Sequence, residues 1–411
     1  MKTLRLVGFV CILSLAGFSP IPQIYRPQVN TLAAPDTVWL KNFILTKAPQ
    51  LLPYLRAAET YHLQIIYTQV NRDAYNRPIL KHYAFRLDTN EYFYPASLVK
   101  LPLAALALER IERLRSQGVT VRTPFILEPL ARGCLQEVPR TPYSVVDCLR
   151  RQMVYSDNTT FDYLYALVGP VQATQALWRK GYHSAYFGHR LGRSCSPEEN
   201  RCAEGIAFQQ EGRVIHRLPP SCNPQPLPHP YANHPYLFLS DGNALNLKDA
   251  HTILISLIFP QAVRPAERFQ LSSDAYHLLR RYLSMYPSEA REPDYDPREY
   301  HDGVRKYFLA GGDTTSIPPR IRIFNKVGLA YGYLSDVAYI VDFELGVEFF
   351  LSAVLYVGQR KPNYPPTGTY AWKEGLYFFR ELGWALYRYE TTRPRPRFPD
   401  LSALRYDYRR P

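Results

Sequence analysis

Beyond residue 20 the chain has no stretch approaching about 18 consecutive apolar residues, so the mature protein is expected to be soluble and to span no bilayer. An internal repeat of solenoid length is also missing, which excludes a stacked-repeat architecture. Acidic residues are in deficit, 36 Asp and Glu against 49 Lys and Arg, leaving a formal charge of +13 that suits an acidic partner. With no nucleic-acid reader motif, that partner is not expected to be nucleic acid; peripheral contact with anionic envelope polymers is the most that the charge implies. Cysteine is sparse. Of six, Cys11 lies in an N-terminal apolar run and five remain, a number that fits an oxidising compartment. Proximity in the chain suggests Cys134 with Cys148 and Cys195 with Cys202, with Cys222 left over, although spacing does not fix connectivity. Cys222, His229 and His234 form a C-x6-H-x4-H run, but the prolines around it, from Pro219 to Pro235, mark an extended surface loop. Neither a metal nor a cofactor is expected.

What is present is chemistry in three short segments. Ser97-Leu98-Val99-Lys100, Ser156-Asp157-Asn158 and Lys326-Val327-Gly328 occur once each and in that order. A serine and a lysine three positions apart share one face of a helix, so the amine approaches the hydroxyl. A hydroxyl is a weak nucleophile, and an amine kept neutral by burial and neighbouring cations can take its proton. Lys326 is the expected neighbouring cation. Ser156 can relay a proton to the leaving nitrogen of a scissile amide, Asn158 can donate to a substrate carbonyl and accept from Lys100, and Asp157 braces the turn. Gly328 leaves room for a substrate backbone, and the N–H groups of Ser97 and Leu329 are the expected oxyanion hole. Tyr92 to Ala96 form an apolar approach, Leu98 to Leu114 carry the periodicity of a buried helix, and Gly118 ends it.

This trio resembles the penicillin-recognising serine enzymes, and most closely class A β-lactamases and their non-hydrolysing relatives. The resemblance covers about residues 55 to 385, and Ser97 and Ser156 are 59 residues apart, near the roughly sixty of class A enzymes. It implies a serine hydrolase that attacks a β-lactam or a D-alanyl amide through an acyl-Ser97 intermediate. The alternatives are a D-alanyl-D-alanine peptidase or amidase on cell-wall peptides, and a penicillin-binding sensor without turnover. Three departures matter. Class A enzymes place a deacylating glutamate first in an E-P-E-L-N stretch, whereas the similar stretch here is Ser196-Pro197-Glu198-Glu199-Asn200. Ser196 then occupies the base's position, deacylation is expected to be slow, and Glu198 or Glu199 is the substitute if the loop shifts. Val327 lacks the hydroxyl that the family offers to the β-lactam carboxylate, a loss of about 1–2 kcal/mol in recognition. The 170 residues from Ser156 to Lys326 exceed the roughly one hundred of a compact relative, so an insertion is present.

The fold class expected is an α/β (α+β) sandwich: an antiparallel five-stranded sheet flanked by helices, with an all-helical lobe, β-lactamase- or transpeptidase-like. Strands are expected at Leu63–Val70, Ile79–Leu87, Arg322–Ala330, Tyr333–Phe343 and Val347–Val357, and a closing helix over Gly368–Tyr389. The catalytic domain is expected over 36–387, with the sheet lobe at about 55–96 and 321–387 and the helical lobe at about 97–320. Insertions are expected near 202–246, where Gly205–Phe208 and Val214–Leu218 read as a hairpin, and near 286–320. Lys2 and Arg5 ahead of Leu6–Leu15 read as a signal peptide over residues 1–19, with cleavage possible as late as about 34, and hence export to a periplasm or the cell exterior. Residues 388–411 read as a solvated basic tail rich in Pro and Arg.

Overall fold

A computed structural model describes residue 32 and residues 35–131, 133–237, 242–290, 292, 294–314, 317–358 and 370–408. The signal peptide with its cleavage region, the start of the closing helix at Gly368, and Arg409 and Arg410 of the tail lie outside the described residues. No described helix is long and apolar enough to cross a membrane.

Five strands form the main sheet: β1 Gln64–Arg72, β2 Pro78–Phe85, and, after the three strands β3 Phe125–Glu128, β4 Gly205–Gln210 and β5 Arg213–Leu218, β6 Ile321–Ala330, β7 Tyr333–Asp342 and β8 Val347–Tyr356. Their order is β2-β1-β8-β7-β6, with antiparallel neighbours throughout. β7 and β8 are buried along their whole length because both faces of the sheet are covered. Successive residues alternate between those faces. Leu334, Ala338 and Ile340 pack with helix α1 (Thr37–Lys47) and the closing helix, while Tyr333, Val337, Tyr339 and Val341 pack toward the helical lobe.

The helical lobe contains α2 (Lys100–Leu114), α3 (Val145–Arg150), α4 (Asn158–Val168), α5 (Pro170–Arg179), α6 (Leu247–Ile258) and α7 (Ser273–Ser284); α8 (Trp372–Thr392) closes the chain over the sheet. α2 is buried nearly all round, including Lys100, and so forms the axis of the lobe. The hairpin of the first insertion is β4 (Gly205–Gln210) with β5 (Arg213–Leu218), and it gains a third strand the sequence did not suggest, β3 (Phe125–Glu128), beside β4.

Two expectations are corrected. The disulfides are Cys134–Cys195 and Cys202–Cys222, and Cys148 is a free thiol facing the core from α3. Proximity along the chain misled because α3 turns Cys148 inward while the turn at Gly133–Leu135 meets the loop that carries Cys195. The C-terminal segment is not a solvated extension either. α8 continues to Thr392, and Arg393 and Arg395 then converge on the fully buried carboxylate of Glu390 at 3.0 and 2.5 Å. Leu401 and Leu404 are buried, and Arg405 stacks on Phe343. A carboxylate with no exposure needs cations, and these arginines supply them.

Candidate active site

Ser97 lies in the tight turn Ala96–Val99 that leads into α2, after a residue in the left-handed region (Ala96, φ 47°). One turn on, the Lys100 amine is fully buried and within 2.9 Å of Ser97 Oγ. Its other close partners are acceptors, Ser156 O at 2.6 Å and Asn158 Oδ1 at 2.6 Å. A neutral amine has two hydrogens and one lone pair. With both hydrogens on those acceptors, the lone pair is left for the serine hydroxyl. Burial lowers the pKa of Lys100 to about 7; Arg305 adds to the shift, while Asp157 and Asp162 oppose it. Burial leads at Lys100 with Arg305 beside it, and the expected repulsion between the two lysines is felt at Lys326.

Ser156 follows a widened helical turn, Arg151–Tyr155, and is itself left-handed (φ 64°), a strained backbone state for serine. Asp157 holds the turn, its Oδ1 accepting from the N–H (2.6 Å) and hydroxyl (2.7 Å) of Thr160 at the start of α4. The strain turns Ser156 Oγ toward both amines, 2.9 Å from Lys326 and 3.4 Å from Lys100. Lys326 is buried and its pKa is pushed well down, first by burial and then by Lys100 and Arg305. Ser97, Lys100, Ser156, Asn158 and Lys326 thus come together, while Gly328 and Leu329 continue along β6.

A cavity of about 460 Å³ opens over Ser97 and is lined by Asn158, Leu329, Tyr94, Tyr331 and the loop Arg190–Cys195 with Asn200. Ser97 and Leu329 therefore face one space. The reason for Gly328 differs from the expected one. A Cβ there would sit 2.4 Å from Pro95 O and 2.6 Å from Ser335 Oγ, so β6 needs glycine to pack against the turn carrying Ser97. Val327 is also corrected: its side chain is buried in the core that packs against α8 and it does not line the cavity.

The loop across the cavity also departs from the expectation. Ser196 is exposed and caps the single turn Pro197–Asn200, its Oγ accepting from Glu199 N–H. Glu199 accepts from the N–H groups of Ser196 (2.7 Å) and Cys134 (3.3 Å), and Glu198 faces solvent beside Arg201. None of the three is among the residues lining the cavity, so neither glutamate is positioned as a base. Among the described residues of that lining there is no carboxylate. The acids instead hold the loop's neck: Arg190 pairs with Glu204 at 2.5 Å with neither side chain exposed, and Arg193 pairs with Glu204 and Asp162. Asp162 also accepts from the N–H groups of Leu191 and Gly192.

Cys222 is oxidised in its disulfide, and the imidazoles of His229 and His234 are committed to Gly242 O and to the Tyr92 N–H, so that run does not form a metal site. Features that sequence reasoning missed are Arg305, the Arg190 and Arg193 clasp, and the partners that Tyr94 of the expected apolar approach finds at the mouth, His189 stacked on it and Tyr331 edge-on. None of them belongs to a short motif; only the fold brings them together.

Residues 63–216 match the model of the Beta-lactamase enzyme family. Similar solved structures include a β-lactamase from Sphaerobacter thermophilus (16% identity, 84% of this chain and 98% of that one, TM-score 0.46) and PBP-A (14%, 87% and 98%, TM-score 0.48). A β-lactamase from Burkholderia phymatum is similar at 13% identity over 84% and 98% of the two chains, with a TM-score of 0.48. No curated protein matches. The family match, taken with three motifs joined by hydrogen bonds among Ser97, Lys100, Ser156 and Lys326, is consistent with membership of the β-lactamase and penicillin-binding serine hydrolase superfamily.

Proposed function

We propose that this protein is an exported serine hydrolase that opens a β-lactam or D-alanyl-type amide by forming an acyl-Ser97 ester, and that it deacylates slowly. One observation carries the reading: the buried Lys100 amine, 2.9 Å from Ser97 Oγ, with both hydrogens directed to acceptors and a pKa near neutrality. Lys100 is the base in this scheme. As the amide nitrogen leaves, Ser156, held by Lys326, delivers its hydroxyl proton and takes back from the Lys100 ammonium, 3.4 Å away, the proton that came from Ser97. The N–H groups of Ser97 and Leu329 receive the developing oxyanion, and donors of this kind are typically worth about 2.7–4 kcal/mol each. Among the described residues the cavity lining offers no carboxylate to activate water, which favours a penicillin-binding protein of slow turnover over an efficient β-lactamase. Two disulfides support an oxidising, extracytoplasmic setting.

Intact-protein mass spectrometry after exposure to penicillin, run beside a chromogenic cephalosporin turnover assay, tests the reading. One stable adduct per chain, lost in Ser97→Ala, is the expected result. An adduct that persists in Ser97→Ala would overturn it.

A further inference from the structure

We infer that Arg305 is a positioning residue that joins the two segments behind the cleft, holding the Ser156 turn and the Lys326 strand in register; this rests on the function proposed above. Its two ends reach the two segments. Arg305 Nε donates to Tyr155 O at 2.9 Å, the carbonyl just before Ser156. Its own carbonyl accepts from Asn325 Nδ2 at 2.9 Å, and Asn325 immediately precedes Lys326.

The surroundings leave little slack in that bridge. The next residue, Lys306, is fully buried and donates to Asn325 Oδ1 (2.8 Å), Ile323 O (2.9 Å) and Leu283 O (2.8 Å). Asn325 Nδ2 also reaches Asp336 Oδ1 at 2.8 Å, and the second oxygen of Asp336 accepts from the N–H groups of Tyr307 and Phe308. Tyr300 lies under the Arg305 guanidinium, while Tyr295 stacks on Tyr155 with centroids 4.0 Å apart and donates to Asp157 Oδ2 at 2.9 Å. The second insertion is thus threaded behind the site rather than laid on its surface. Buried charge is costly unless its hydrogens are taken up, and the Arg305 guanidinium meets this with the carbonyls of Tyr155 and Val304 and the ring of Tyr300.

The guanidinium also acts through its charge. It disfavours protonation of Lys100 and of Lys326, in each case by less than burial does, and at Lys326 by less than Lys100 does. Around Lys100 the opposing groups are Asp157 and Asp162; around Lys326 they are Asp336, opposing, and Lys100 and Lys306, reinforcing. Position and charge can therefore be separated.

Arg305→Met removes both, while Arg305→Lys keeps the charge and loses the planar Nε donor. Two readouts are needed: the acylation rate against pH with a fluorescent penicillin, and amide hydrogen exchange by mass spectrometry. In Arg305→Met the midpoint of the pH profile should rise by about one unit, the low end of what a neighbouring charge does to a pKa. Exchange should quicken at least about fivefold in the peptides spanning Tyr155–Asn158 and Asn325–Gly328 together, with the β1–β2 hairpin unchanged. Arg305→Lys should restore the midpoint and not the protection. An unmoved midpoint with unchanged exchange, or exchange rising evenly along the chain, would overturn the inference. If the wild type forms no adduct, it is the proposed function that fails, and exchange alone then decides the bridge. Should Arg305→Met not fold, Arg305→Lys decides it by the same exchange measurement.

Discussion

The two walls of the cleft are built on different principles. On one, Ser97, Lys100, Ser156 and Lys326 are linked by contacts of 2.9 Å or less between rigid, buried elements, and the amines are forced toward neutrality. On the other, the loop from Arg190 to Asn200 spends its charges on its own architecture, in the Arg190–Glu204 pair, the cap at Ser196 and the carboxylate of Glu199. The first wall is equipped to take a proton from a hydroxyl. The second is equipped to keep its shape, with Arg190 and Arg193 tied to Glu204 and Asp162. Acylation and deacylation are therefore separable properties of this fold, and the walls can be broken one at a time.

Breaking the first wall should have the largest effect. Ser97→Ala and Lys100→Ala should each abolish adduct formation, a loss beyond the 10²–10⁴-fold typical of a single general base because nucleophile and base act as one unit. In the wild type the acylation rate should rise with pH through about 7, as Lys100 gives up its proton. The sign follows from burial, which depresses the amine, so the active neutral form is lost as pH falls through that value. A rate that climbs only near the ordinary lysine range would show that the amine is not held neutral.

The second wall should show itself in turnover. Penicillin-like substrates should give a burst of about one product per chain and then a slow steady state, since a positioned base is typically worth 10²–10⁴-fold. Ser196→Glu should not rescue hydrolysis, because that position caps a helical turn instead of facing Ser97. Rescue would mean that the loop moves on acylation. Glu199→Gln should leave the burst intact and lower stability by about 1–3 kcal/mol, the cost of weakening the carboxylate that holds the N–H groups of Ser196 and Cys134. Thermal unfolding beside a labelling assay separates the two effects.

The same contrast explains what could be read from the chain. The nucleophile, the base and the relay follow from i, i+3 geometry and residue chemistry, and the five strands follow from alternation, to within two residues at their ends. The loop was not legible. Ser196-Pro197-Glu198-Glu199-Asn200 reads like a catalytic stretch, yet Ser-x-x-Glu is also a capping box, and the local hydrogen bonds decided for the cap. The disulfides and the Arg305 bridge depend on contacts between residues 20 to 150 positions apart, which no local pattern encodes. The basic tail failed for a related reason: the buried carboxylate that recruits Arg393 and Arg395 is visible only once α8 is placed.

The smallest expected effect lies at the position where resemblance and structure disagree most directly. From the motif alone, Val327→Thr should restore a donor to the substrate carboxylate and speed acylation by roughly 5–30-fold, the equivalent of about 1–2 kcal/mol. In the structure β6 points Lys326 into the site, and the period of two along a strand then turns Val327 to the opposite face, where it is buried among core side chains. A hydroxyl placed there cannot reach the cavity. Val327→Thr should therefore change the acylation rate by less than about threefold while costing about 1–3 kcal/mol of stability for a buried, unsatisfied hydroxyl. Acylation kinetics and thermal unfolding on one preparation decide between these outcomes: faster acylation at unchanged stability would mean that β6 twists on binding and brings residue 327 to the substrate, and the first wall would then be less rigid than its hydrogen bonds imply.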